Sequence, residues 1–312
     1  MTHQKTLAQS VSCTGVGVHS GAHTCLTLKP AKANSGYVFI RTDITDKNNR
    51  IEGLWHNVAD TTLCTVLANT DGVTVGTVEH VLSALAAAGV DNAVIEVNGP
   101  EMPIMDGSAA AFLDMIDDAG VKTLAQAKRY LRLKKTVTYT EDDKTVTLSP
   151  ASTTLWDMVI SFDTSLIGRQ VYRFDGNLNT YRQNIADSRT FGFLHEVEMM
   201  KNMGLARGGS LDNAVVIDKD TVLNPDGLRH SDEFVRHKLL DAIGDIALGG
   251  APLLAHYQGY KAGHALNNKV LRAVFADKTA FEFVTLDELR ARNRKTERRT
   301  PVFAAEPEAV FV

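Results

Sequence analysis

Two stretches of the chain alternate apolar and polar residues around a turn and close on nearly the same five residues. The first, VSCTGVGVHSGAHTCLTLKPA, turns at Ser20-Gly21 and ends in TLKPA; the second, RYLRLKKTVTYTEDDKTVTLSPA, turns on an acidic run and ends in TLSPA. Period-two alternation around a polar turn predicts a β-hairpin in each. Helical spacing appears next, in TVEHVLSALAAAG, where Val78, Val81, Leu82 and Leu85 recur before a Gly89 stop. A strand, DNAVIEVNG, and a second amphipathic helix, MDGSAAAFLDMIDDAG, follow it. The second half repeats the order with DEFVRHKLLDAIGDIALGG, the strand-like LLAHYQGY and KAGHALNNKVLRAVFAD. His80 to Gly107 is 27 positions and His237 to Gly263 is 26. Matched order and spacing predict an α+β fold of two similar domains, each with helices layered against a mainly antiparallel sheet. The boundary falls near Ala125 to Arg129, giving domains over 1–126 and 127–300 and a C-terminal tail over 301–312.

Two segments read as insertions on this repeat: the polar stretch Arg41 to Asn57, and Phe193 to Lys219, a short helix, a Gly208-Gly209 break and the strand NAVVID. Insertions on a repeated scaffold are a common place for specificity. With 312 residues, 44% of them hydrophobic, the chain has the apolar material for a large core. Lys plus Arg is 33 against 37 Asp plus Glu, and aromatics are 7%, so a nucleic-acid-binding role finds neither a basic balance nor stacking residues. The longest uncharged apolar stretch, Val81 to Val90, is about half of what a bilayer-spanning helix needs, so no membrane insertion is expected. The opening residues lack a signal-peptide pattern, so a cytoplasmic location is the expectation, and the chain is expected to act as a monomer. The basic run ELRARNRKTERRTP reads as a solvated helix end. Cys13, Cys25 and Cys64 form no CxxC pair, so a metal, if bound, is held by His and carboxylate.

On the helix from Asp232 to Leu248, His237, Asp241 and Asp245 stack at i, i+4 and i+8, opposite an apolar arc that includes Val235, Leu239, Leu240 and Ile243. A lone HxxxD is most often a solvated face. It also presents one nitrogen and one carboxylate oxygen to a shared cation, and catalytic zinc takes three protein ligands plus water. The equivalent helix of the first half offers His80, with Glu79 directly before it, close enough to serve as general base without binding the metal. His264 in AGHALNN, with Asp245 behind it, is a candidate cation for the leaving amine or the oxyanion. Together these residues supply the machinery of amide hydrolysis.

The strings TVEH, PIMDGSA, SRTFGF, GGS, LNPDGLR, DEFVRHKLLDAIGD and YKAGHALNNK, in this order, closely resemble the zinc-dependent UDP-3-O-acyl-N-acetylglucosamine deacetylases of lipid A synthesis. The resemblance covers nearly the whole chain. It implies an active site between the domains, one small insert per domain, Zn2+ on His80, His237 and Asp241, and Glu79 as base. It further implies that His264 and Asp245 act as a cationic pair, that Thr190 helps hold the oxyanion, and that Leu63, Phe162, Phe191, Lys238 and Lys261 contact the substrate, a UDP-3-O-acyl-N-acetylglucosamine. Leu194, Val197, Ala206, Gly209, Ser210, Leu211, Ala214 and Val216 would border a passage for its fatty acyl chain. Whether Glu79 or His264 protonates the leaving amine stays open. Glu196, Leu211 and Ser161 depart from residues common in the family, so acyl preference and nucleotide contacts are not fixed by the resemblance.

Overall fold

A computed structural model describes residues 2–297; the tail over 301–312 and the last residues of the second predicted domain lie outside the described residues. The first half runs β1 (His3–Leu7), β2 (Val11–Val16), β3 (His23–Pro30), β4 (Tyr37–Arg41), β5 (Arg50–Glu52), β6 (Val58–Asp60), β7 (Val66–Ala68), β8 (Thr74–Val75), α1 (Glu79–Ala87), β9 (Ala93–Val97), α2 (Ala110–Ala119) and β10 (Val121–Ala127). The second runs β11 (Tyr130–Leu133), β12 (Val137–Glu141), β13 (Lys144–Pro150), β14 (Leu155–Ser161), β15 (Arg169–Phe174), α3 (Leu178–Asn184), β16 (Phe191–Phe193), α4 (Leu194–Asn202), β17 (Val215–Asp218), β18 (Thr221–Val222), α5 (Glu233–Ala247), β19 (Leu253–Tyr260), α6 (His264–Ala276), β20 (Phe281–Val284) and α7 (Leu286–Glu297).

The echo between TLKPA and TLSPA becomes a shared topology. In β3, Leu26 and Leu28 point into the core while Thr27 and Lys29 do not; in β13, Val146 and Leu148 do the same between Thr145, Thr147 and Ser149. Each strand sits between its hairpin partner and a second antiparallel neighbour, β9 or β19, with Pro30 opposite Ala93 and Pro150 opposite Ala255. β9 then pairs in parallel with β4, and β19 in parallel with β14. The edges β5 and β15 close each set antiparallel. The correspondence extends to β1 with β10 and β11 with β20, both antiparallel. The fold is thus α+β, two copies of one plan, and one copy gives way to the next between Ala127 and Tyr130.

This topology corrects the reading of Arg41 to Asn57 as an insertion. β4 ends at Arg41 and β5 returns beside it, as β15 returns beside β14, so the segment has a counterpart. A short edge strand carrying Arg50 and Glu52 has no alternation long enough to read from sequence. The real additions occupy the same slot in both copies, between the edge strand and the interface helix. In the first half the addition is the three-stranded sheet β6-β7-β8; in the second it is α3 followed by the unit β16-α4-β17-β18, whose strands β16 and β17 are parallel.

α1 and α5 pack on one another where the halves meet. Their close approach needs Gly244, because a Cβ there would lie 2.0 Å from the carbonyl oxygen of Glu79. At the C-terminal ends of the same two helices the halves part around a cavity of about 470 Å³, walled by Tyr37, Ala87, Trp156, Phe174, Ile246 and Leu253. Among the described residues no helix is long and apolar enough to cross a membrane.

Candidate active site

The polar stripe of α5 is not a solvated face. His237 and Asp241 are 2% and 3% exposed, and His80, second residue of α1, is 3% exposed against them. Nε2 of His80 lies 3.5 Å, and Nε2 of His237 3.3 Å, from Asp241 Oδ1. One ligand atom from each of the three falls within 4.8 Å of the others. His237 Nδ1 lies 3.0 Å from the carbonyl oxygen of Ser188, which fixes the ring and, by donating there, leaves Nε2 with a lone pair. Burial holds this imidazole neutral, lowering its pKa to about 4 despite the neighbouring Asp241. Asp241 is held well below the ordinary carboxyl range: burial disfavours its charge, but the Lys238 ammonium on its other oxygen outweighs that. Lys238 Nζ takes Oδ2 at 2.8 Å, while Oδ1 is buried without a hydrogen-bond partner. An orphaned carboxylate oxygen facing two imidazole nitrogens fits a divalent cation, and two nitrogens with one oxygen are a donor set that zinc accepts.

Glu79 opens α1 beside this group. Its Oε2 accepts from the main-chain N–H of Thr65 at 3.1 Å, and its Oε1 stands 3.9 Å from His264 Nε2. Burial raises its carboxyl above the ordinary value, against the pull of His264 and His80. His264 opens α6, and its Nδ1 lies 2.9 Å from Asp245 Oδ2. Burial alone would depress this imidazole, yet Asp245, with Glu79 behind it, raises the pKa to about 9. Asp245 also accepts from Asn267 Nδ2 at 2.9 Å and from Thr65 Oγ1 at 2.5 Å. One threonine therefore ties both carboxylates, and the site combines a candidate base with a retained cation.

The remaining predicted residues are spread over several elements. Phe191 lies edge-on to His237 with ring centroids 6.2 Å apart, and Phe162 packs against Phe191 at 5.8 Å, so these two aromatics wall the His237 side. Thr190, next to Phe191, is fixed through its main chain, donating to Gly107 O and accepting from Val215 N, each at 2.8 Å. Leu63 is 39% exposed, two residues before Thr65. Lys238 is engaged by Asp241, whereas Lys261 pairs with Asp143 at the β12–β13 turn. In the second insertion Leu194 and Val197 lie on α4, and Val197 packs beside Gly192. Ala206 is buried, Gly209 lies against Ala206 and Val18, Ser210 accepts from Asn213 and Ala214, and Leu211 is 41% exposed. Ala214 leads into Val216 on β17.

Sequence reasoning did not find Thr65, Asn267 or the Ser188 carbonyl. Asn267 stands three residues after His264 on one helix face, a spacing that could have signalled it. Thr65 approaches only through the added sheet β6-β7-β8, and a main-chain carbonyl leaves no trace in sequence.

Residues 4–276 match the family of UDP-3-O-acyl N-acetylglycosamine deacetylases. The chain belongs to this family. It is 46% identical over 293 residues to the UDP-3-O-acyl-N-acetylglucosamine deacetylase of Pasteurella multocida, covering 93% of this chain and 96% of that protein. Its identity is 48% over 295 residues to the enzyme of that name in Myxococcus xanthus, covering 95% and 92%. For the Neisseria meningitidis enzyme it is 48% over 292 residues, covering 92% and 95%. As a member of this deacetylase family, the chain is a hydrolase.

Proposed function

We propose that this chain is a zinc-dependent amide hydrolase that removes acetyl from the 2-nitrogen of a UDP-3-O-(3-hydroxyacyl)-N-acetylglucosamine, releasing acetate and the free amine on the route to lipid A. The observation that carries the reading is the convergence of His80 from one half with His237 and Asp241 from the other, beside Glu79. These three would hold the zinc, with domain 1–126 giving one ligand and the base and domain 127–300 giving two ligands and the cation. When bound there, zinc supplies Lewis acidity toward the acetyl carbonyl and the attacking water.

Glu79, whose carboxyl is raised by burial and oriented by Thr65, takes a proton from that water. His264, held as imidazolium by Asp245, faces the charge that develops on the carbonyl oxygen, and the Thr190 hydroxyl assists it. The amine leaves with a proton from Glu79 or His264, which stand 3.9 Å apart. Phe162, Phe191, Leu63, Lys238 and Lys261 would border the sugar and nucleotide. The acyl chain would run along Leu194, Val197, Ala206, Gly209, Ser210, Leu211, Ala214 and Val216, where each buried methylene contributes about 0.8 kcal/mol. A nucleotide-sugar substrate fits a cytoplasmic location.

The test is acetate release by zinc-loaded and chelator-stripped protein, from the acylated UDP-sugar and from UDP-N-acetylglucosamine. Metal-dependent release that requires the acyl group is expected. Release from neither substrate, or release indifferent to metal, overturns the reading.

A further inference from the structure

Glu101 is a carboxylate 4% exposed, outside the hydrolytic group, and it accepts three hydrogen bonds from two separate parts of the chain. Oε1 accepts from the main-chain N–H of His19 at 2.9 Å and from Thr77 Oγ1 at 2.9 Å; Oε2 accepts from the N–H of Ser20 at 2.8 Å. The chain makes room for it: a Cβ at Gly17 would lie 2.3 Å from Oε2. Thr77 stands two residues before Glu79 and has φ +57°, a conformation that β-branched residues rarely adopt and that needs outside support. Glu101 supplies that support through the Thr77 hydroxyl, and its main chain adds a parallel bridge to Gly76.

The turn that Glu101 grips at His19 and Ser20 is in turn bonded to the other half. Arg207 N–H donates to His19 O at 3.2 Å, and Gly208 N–H donates to Val18 O at 3.1 Å. The fit is close, since a Cβ at Gly208 would lie 2.3 Å from Gly17 O. Ala206, one residue before Arg207, is itself held at φ +51°. An unbroken set of hydrogen bonds therefore runs from the loop at 206–208, through the turn at 17–22 and the Glu101 carboxylate, to Thr77, two residues before Glu79 at the start of α1.

We propose that Glu101 is a positioning residue that couples the seating of the acyl chain against the second insertion to the placement of the base Glu79. The inference rests on the proposed deacetylase reading. Under it, occupation of the acyl passage fixes the 206–208 loop, and Glu101 passes that restraint to Thr77, so the acyl chain raises turnover as well as affinity.

Glu101→Gln keeps the shape but replaces one acceptor oxygen with a donor, which cannot serve an N–H. Thr77→Val removes the hydroxyl while keeping the branch. Both are assayed with UDP-N-acetylglucosamine bearing a 3-hydroxymyristoyl or a 3-hydroxybutanoyl group at O3, with metal content and melting temperature measured alongside. In the wild type, kcat is higher with the long chain. In either variant the long-chain kcat is expected to fall about tenfold while the short-chain kcat stays within about twofold, with KM values and metal content retained. A purely structural role lowers both kcat values by one factor or changes only the melting temperature, and either result overturns the proposal. So does a wild-type kcat that is equal for the two chains. A wild type that releases acetate from neither substrate overturns the underlying reading, and the coupling with it, whereas a working wild type matched by both variants overturns the coupling alone.

Discussion

The two oxygens of Asp241 have separate duties, Oδ2 bound to Lys238 and Oδ1 turned to two imidazole nitrogens. Each neighbour of this group is expected to fail in its own way. His237→Ala removes a ligand and should abolish tight zinc binding, read by metal content after dialysis. Glu79→Ala should retain zinc and lose most turnover, on the order of 10² to 10⁴-fold as for removal of a general base. Equal metal loss in both variants would contradict the role given to Glu79. Asp245 and His264 set a limit on pH. A histidine whose folded pKa is raised to about 9 adds stability that is complete below its unfolded value near 6.5 and is lost as pH rises through about 9. The imidazolium follows the same window, so turnover should decline on that alkaline side, and Asp245→Asn should move the decline to lower pH. A pH profile of kcat/KM that leaves the alkaline limb in place would refute this assignment. At this scale the sequence was legible where polar side chains recur at helical spacing, as with His237, Asp241 and Asp245, which the structure buries together on one face of α5. Thr65 was not, because its partners Glu79 and Asp245 are brought to it only by folding.

Among the elements, α1 and α5 decide the candidate site because each carries part of the His80, His237 and Asp241 group, and their separation is set by a residue with no side chain. Helix propensity favours Ala over Gly by about 1 kcal/mol in a helix interior. Gly244→Ala would nevertheless place a methyl 2.0 Å from the Glu79 carbonyl, and overpacking of this kind costs about 1–3 kcal/mol. The variant should melt lower and turn over more slowly, with the helix start at Glu79 displaced; a melting temperature above that of the wild type would mean the helices are not so closely apposed. The sequence identified both helices, because their apolar positions recur at the right period. It could not assign a purpose to Gly244, since the need for it comes from another helix 165 positions away. It also misread the segment beyond Arg41: β5 is three residues long, and pairing with β4, which makes it a strand, is not a local property.

Seen as a whole, the molecule is one plan used twice, with additions in the same slot. The first addition brings Thr65 to Glu79; the second brings Phe191 of β16 beside His237, with α4 and β17 packed against β16. If the acyl chain passes there, Ala214→Trp should suppress long-chain substrates before short ones, and an unchanged chain-length profile would place the passage elsewhere. The duplication was visible in TLKPA and TLSPA and in the paired 27- and 26-residue spacings, because both copies kept the same strand alternation. The sharing of labour between the copies was visible only as residues of different kinds at equivalent places. That division has a mechanical side. With one imidazole anchored in the earlier copy and a second imidazole and a carboxylate in the later one, a bound dication rivets the seam between them, so stripping it should loosen the joint as well as silence the reaction. Melting temperature should then rise with added zinc roughly as the logarithm of its free concentration.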